Sequence, residues 1–284
     1  MTVAVARAAS QLQEHLVGLA DAPEGQDVRG RDDAETHDGS VVTLRAMVSS
    51  HYEKITAADG GVFDAFCAVP ETGPAPGVLI FQEIFGVNDN IRGLAERLAA
   101  AGYVALASDM FWRIEPRFER KDESGMADGF ERVHQLDFQL AGSDITATLA
   151  HMRAMPACDG KVGGVGFCLG GTLAYLFAAT SRVDGEGPNA AVSYYGSGIT
   201  GMLGLAEQIE CPILLHYGDR DPYIPAQDID AVEQAMAGRP NATVHRYDAG
   251  HAFSNWDAPS MYDETSARVA WDRTIEFFDE HLRH

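Results

Sequence analysis

The chain has 284 residues, 46% of them hydrophobic, which allows one large α/β domain or two small ones around a sizeable core. Its 42 acidic and 21 basic residues leave a net charge of −21, a surface that repels nucleic acid and anionic lipid. No stretch reaches the roughly 18 consecutive apolar residues of a membrane span, and Cys67, Cys158, Cys168 and Cys211 show neither C-x-x-C pairing nor a metal-ligand spacing with histidine.

The first twenty residues lack the sustained apolar core of a secretory signal, so a cytoplasmic, reducing location is expected. Residues 1–40 are read as an N-terminal extension, with a short amphipathic helix over 8–20 and a polar linker over 21–40. The main domain is expected over 41–284. Strands before and after the Asp59-Gly60-Gly61 turn predict an antiparallel sheet edge. Strand and helix patterns then alternate. Strands are predicted over 77–82, 103–108, 161–167, 190–195, 211–217 and 243–247. Helices are predicted over 89–101, 144–155, 169–180, 226–237 and 262–282, with 111–135 charged and irregular. This alternation predicts an α/β fold, a mostly parallel central sheet with helices on both faces.

Gly166-Phe167-Cys168-Leu169-Gly170 sits where a predicted strand meets a predicted helix. That is the setting of a nucleophile elbow, in which glycines make room for a tight strand-to-helix turn. The helix N-terminus favours a thiolate on Cys168. The Leu169 N–H is left free to bind an oxyanion. The same residues also suit a plain tight turn with a buried cysteine.

Later turns supply the partners in hydrolase order. Asp219 and Asp221 follow the strand at 211–217, and His251 follows the strand at 243–247. His251 would exchange a proton with Cys168, and Asp221 would orient the imidazole. Glu83 ends the strand at 77–82, where ligands of open α/β sheets bind, and Ile84 beside it could give a second oxyanion N–H. His216 and His245 lie inside strands and are weaker candidates.

QEIFGVN at 82–88, GFCLGG at 166–171, DRDPYIP at 219–225 and AGHAF at 249–253 together resemble the dienelactone hydrolase (carboxymethylenebutenolidase) family, from about residue 50 to the C-terminus. The resemblance implies an α/β-hydrolase fold and a Cys168–His251–Asp221 triad. It also implies a Glu83 that holds the resting thiol, and an oxyanion hole from Ile84 and Leu169. The reaction implied is lactone opening through a thioester, as in catabolism of (chloro)aromatic compounds, with no metal and no organic cofactor. The family's two carboxylate-binding arginines have no match: Asn255 and Met126 stand there, with Arg117, Arg120 and Arg132 near the second. A missing guanidinium removes a bidentate carboxylate clamp.

Phe85, Trp112, Arg113, Asn255 and Trp256 are the candidate substrate-binding residues, with Phe111 beside them. The partner expected is a small lactone or ester, with monomer or homo-oligomer left open. An esterase or thioesterase with the same triad, a cysteine peptidase and a catalytically silent binding scaffold are the alternatives.

Overall fold

The computed structural model describes residues 48–71 and 73–284. The helix expected over 8–20, the linker over 21–40 and the start of the strand expected from 41 lie outside the described residues.

Eight strands form one sheet: β1 (Val48–Thr56), β2 (Val62–Pro70), β3 (Ala75–Phe81), β4 (Val104–Ser108), β5 (Cys158–Phe167), β6 (Ala190–Tyr194), β7 (Ile213–Gly218) and β8 (Ala242–Tyr247). Their spatial order is β1-β2-β4-β3-β5-β6-β7-β8. β1 and β2 pair antiparallel, as do β2 and β4, and every later pair is parallel. The fold is that of an α/β hydrolase. β3, β4 and β6 are buried along their whole length, as strands covered on both faces must be.

The helices are α1 (Asp89–Ala100), α2 (Met126–Gln135), α3 (Phe138–Ala154), α4 (Leu169–Thr180), α5 (Ala226–Met236) and α6 (Glu264–Leu282), with a 3₁₀ segment at Ile199–Gln208. Two adjacent glycines of β5 show which helix covers which face. A side chain on Gly163 would meet Phe278 and Leu282 of α6; one on Gly164 would meet Phe177 of α4. Neighbouring strand residues point to opposite faces, so α4 and α6 cover opposite sides.

Two helical segments depart from expectation by more than a residue or two. α3 begins at Phe138 rather than 144, because the Asp137 side chain caps it by accepting from the N–H groups of Gln139 and Leu140. The stretch read as irregular contains α2, whose apolar Met126, Phe130 and Val133 have helical spacing. Among the described residues no helix is long and apolar enough to cross a membrane.

Candidate active site

The parallel strands deliver the site's residues to one edge of the sheet. Glu83 lies just beyond β3, Cys168 follows β5, Tyr195 follows β6, Asp221 lies beyond β7 and His251 lies beyond β8. All sit at the C-terminal ends of parallel strands, where open α/β sheets bind ligands.

Cys168 occupies the elbow with φ 55° and ψ −115°. This is a strained region for a residue with a side chain, and it persists only where the surroundings enforce it. The enforcement is steric. A Cβ on Gly166 would lie 1.8 Å from the Gly170 carbonyl oxygen, and one on Gly170 would lie 1.9 Å from that of Phe81. The backbone of the turn therefore passes closer to its neighbours than any other residue type allows. The Cys168 N–H donates to the Tyr194 carbonyl at 3.1 Å, which ties the elbow to β6. Leu169 opens α4, where the first N–H groups lack intrahelical partners.

His251 Nε2 lies 3.1 Å from Cys168 Sγ, and His251 Nδ1 lies 2.7 Å from Asp221 Oδ2. The other Asp221 oxygen accepts from the N–H groups of Tyr223 and Ile224, at 2.8 and 3.1 Å. These bonds leave the carboxylate one orientation. The imidazole ring is flanked by Tyr195 and Tyr223, with centroids 5.2 and 5.1 Å away. Burial by itself would push His251 down; the Asp221 carboxylate and Cys168 outweigh it and hold the imidazole well above the usual histidine range.

Glu83 is buried beside this chain, 3% exposed. One oxygen accepts from Tyr195 Oη at 3.3 Å and the other from the Asn255 side-chain amide. Burial pushes its carboxyl up to about 7, against the opposing effects of His251, Asn255 and Tyr195. The thiol's hydrogen-bond partner here is His251, and the partners of Glu83 are Tyr195 and Asn255.

The pocket over Cys168 is lined by Glu83, Ile84, Phe85, Leu169, Ser197, Tyr223, His251 and Ala252, and roofed by Met126, Phe130, Val133 and Met261. Among the described residues no arginine or lysine lines it. Its free volume is about 40 Å³, little more than one water molecule occupies in liquid. Two of the lining side chains, Met126 and Met261, are methionines, which adapt readily to what they pack against. A larger groove of about 790 Å³ between β1, α3 and α4 contains none of these residues. Among the described residues no cluster of three or more His, Cys, Asp or Glu could hold a metal ion.

Of the expected substrate-binding residues, Phe85 lines the pocket and Asn255 reaches it through Glu83. Trp112 and Arg113 require correction. The Trp112 ring stacks on Phe63 at 5.3 Å, and its N–H donates to Asp144 at 2.8 Å. Arg113 bridges Asp144 and Asp59. The buried carboxylate of Asp144 on α3 draws both away from the pocket. Trp256 also lies elsewhere, packed against Gly93 and the Arg97 guanidinium. Phe111 is a core residue against Phe118. The unassigned arginines are committed: Arg117 to Asp64, Arg120 to Asp128, and Arg132 to Glu115 and Glu131. Met126, noted only for not being arginine, is part of the roof. His216 bonds Tyr247 and Thr274 in the core, and burial holds it well below the usual histidine range.

Residues 63–282 match the model of the dienelactone hydrolase family. The chain belongs to the dienelactone hydrolase family. It is 35% identical over 224 residues to a carboxymethylenebutenolidase of Pseudomonas sp. (strain P51), covering 78% of this chain and 92% of that one. It is 36% identical over 240 residues to a putative carboxymethylenebutenolidase of Azospirillum brasilense, covering 80% and 97%. Among solved structures, a putative dienelactone hydrolase from Klebsiella pneumoniae superposes with a TM-score of 0.72 at 27% identity, over 82% of this chain and 99% of that one. A dienelactone hydrolase-like promiscuous phosphotriesterase from metagenomic libraries gives 0.69 at 28%, over 82% and 99%. As a family member the protein is a hydrolase acting on ester or lactone bonds. Tyr195 and Ser254, which join Glu83 in one hydrogen-bonded group, were missed from the sequence. Only the position of Tyr195 at a strand's C-terminal end pointed to it.

Proposed function

We propose that the protein hydrolyses a neutral ester or lactone by covalent catalysis, with Cys168 as nucleophile, His251 as proton carrier and Asp221 as its orienting partner. The observation that carries this reading is the unbroken chain from Asp221 Oδ2 through His251 to Cys168 Sγ, with links of 2.7 and 3.1 Å.

In the first half-reaction His251 holds the Cys168 proton and the thiolate attacks the carbonyl carbon. The N–H groups of Ile84 and Leu169 receive the developing oxyanion. Collapse breaks the C–O bond, His251 protonates the leaving oxygen, and a thioester remains on Cys168. In the second half His251 takes a proton from water, the hydroxide attacks the thioester, and the acid leaves as the thiol is restored. Asp221 and Cys168 hold the imidazole above the usual histidine range, which suits His251 to carry the proton it takes from Cys168. All four cysteines are free thiols, which fits a reducing compartment such as the cytoplasm.

Neutrality of the substrate follows from the lining. Among the described residues no arginine or lysine lines the pocket, Glu83 adds negative charge when ionised, and Arg117, Arg120 and Arg132 are held by carboxylates. The second reading is dienelactone itself, favoured by the carboxymethylenebutenolidase names of the relatives. Steady-state hydrolysis of p-nitrophenyl acetate and of cis- and trans-dienelactone separates the two. A higher kcat/KM for the aryl ester supports the neutral reading, and a higher value for either dienelactone overturns it.

A further inference from the structure

A second cavity of about 210 Å³ is bordered by Ser254, Trp256 and Arg97 and by the exposed Tyr262, Glu264 and Arg268. None of its lining residues also lines the substrate pocket. The hydroxyl of Ser254, at the edge of this cavity, lies 2.6 Å from that of Tyr195. Tyr195 in turn donates to Glu83 at 3.3 Å. Three oxygens thus connect a buried carboxyl that lines the substrate pocket with an outside water space.

We propose that Tyr195 and Ser254 form a proton path between Glu83 and this side cavity, so that Glu83 exchanges protons with solvent while substrate fills the pocket. The proposal rests on the hydrolytic reading above for its role in turnover.

The balance is simple. At neutral pH, hydrolysis of an ester by water yields a carboxylate, an alcohol and one proton. Inward transfer moves a proton from hydronium in the cavity to Ser254 Oγ, leaving water, the serine proton to Tyr195 Oη, and the tyrosine proton to Glu83 Oε1. Outward transfer is the reverse. Each hydroxyl ends with one hydrogen, and no other co-reactant is needed.

Two features suit Tyr195 to this task. Its backbone is held at φ 37°, an unfavourable value for an aromatic residue, with its N–H bonded to the His216 carbonyl at 2.7 Å. Its phenol is fully buried, and burial together with Glu83 holds its ionisation well above the usual range. It therefore passes protons by exchange and does not rest as a tyrosinate. A carboxyl poised at about 7 gains or loses a proton readily at neutral pH, and Glu83 lines the pocket that substrate would fill.

The test compares Ser254→Thr with Ser254→Val, which differ only in a hydroxyl against a methyl group. Cys168 is first alkylated with N-ethylmaleimide to plug the pocket; the other three cysteines are buried. Protein at pH 6 is mixed rapidly into D2O, and the protonated Glu83 carbonyl band is followed by infrared, assigned by its loss in Glu83→Gln. Wild type and Ser254→Thr should exchange at the same rate, and Ser254→Val should be slower by about tenfold or more. Tyr195→Phe, which keeps the buried ring, should be slowed as well. Equal rates in wild type, Ser254→Val and Tyr195→Phe overturn the proposal. This readout needs no turnover. Slowed exchange in a protein inert toward every ester would leave the path standing and the hydrolytic reading fallen. Equal exchange in an active hydrolase would do the opposite.

Discussion

Asn255 donates its side-chain amide to the carboxylate of Glu83, although 172 positions separate them, and both are closed off from solvent. The amide steadies the carboxylate without neutralising it. Burial therefore still dominates, and the carboxyl stays at about 7. Replacing Asn255 by arginine puts a full positive charge in the same place. The expected result is a Glu83 carboxyl below its present value and a kcat/KM for carboxylate-bearing lactones raised about tenfold or more. Infrared titration and substrate comparison check the two halves separately.

The raised Glu83 carboxyl also sets a pH dependence of stability. Its ordinary value is 4.5 and its folded value about 7, so the folded state binds more protons between these limits. Stability then falls as pH rises through that window. Glu83→Gln removes this dependence. Urea unfolding should show the variant gaining on wild type at pH 8 relative to pH 4, by about 3 kcal/mol at most. A constant difference across pH would count against the burial argument.

Gly170 carries a steric prediction. An added methyl would sit 1.9 Å from the Phe81 carbonyl oxygen, a backbone atom that cannot move alone. Gly170→Ala should lose about 3 kcal/mol or more of stability. Gly204→Ala, where a Cβ meets nothing within 4 Å, is the matched control and should stay near wild type in urea midpoint.

Asp221→Asn keeps the shape but removes the charge that holds His251 protonated. The expected loss is about 10³-fold or more in kcat with KM little changed. The His251 titration, followed by NMR, should move down at the same time. A loss of kcat with an unmoved titration would mean that Asp221 acts by some other route.

Much of this site was legible in the sequence because its constraints are local. The glycines of GFCLGG follow from one tight turn, and the strand ends at Glu83, Asp221 and His251 follow from alternating apolar runs. Helix α2 was also legible in Met126, Phe130 and Val133, but the surrounding charges hid the period. Trp112 and Arg113 misled because the residue that claims them, Asp144, lies 32 and 31 positions away on α3. For Tyr195 the only signal was its place at the end of a strand, and for Ser254 there was none. Their role depends on hydroxyls that meet across 59 positions, and neither residue type is unusual by itself.

The central claim is that Cys168 carries the acyl group. The most direct test is intact-mass spectrometry of the protein quenched during turnover of a slowly deacylated aryl ester, with peptide mapping. The predicted result is one acyl group on Cys168, present in wild type, absent in Cys168→Ala, and decaying as product appears. Turnover by wild type with no adduct on Cys168, together with retained activity in Cys168→Ala, would contradict it.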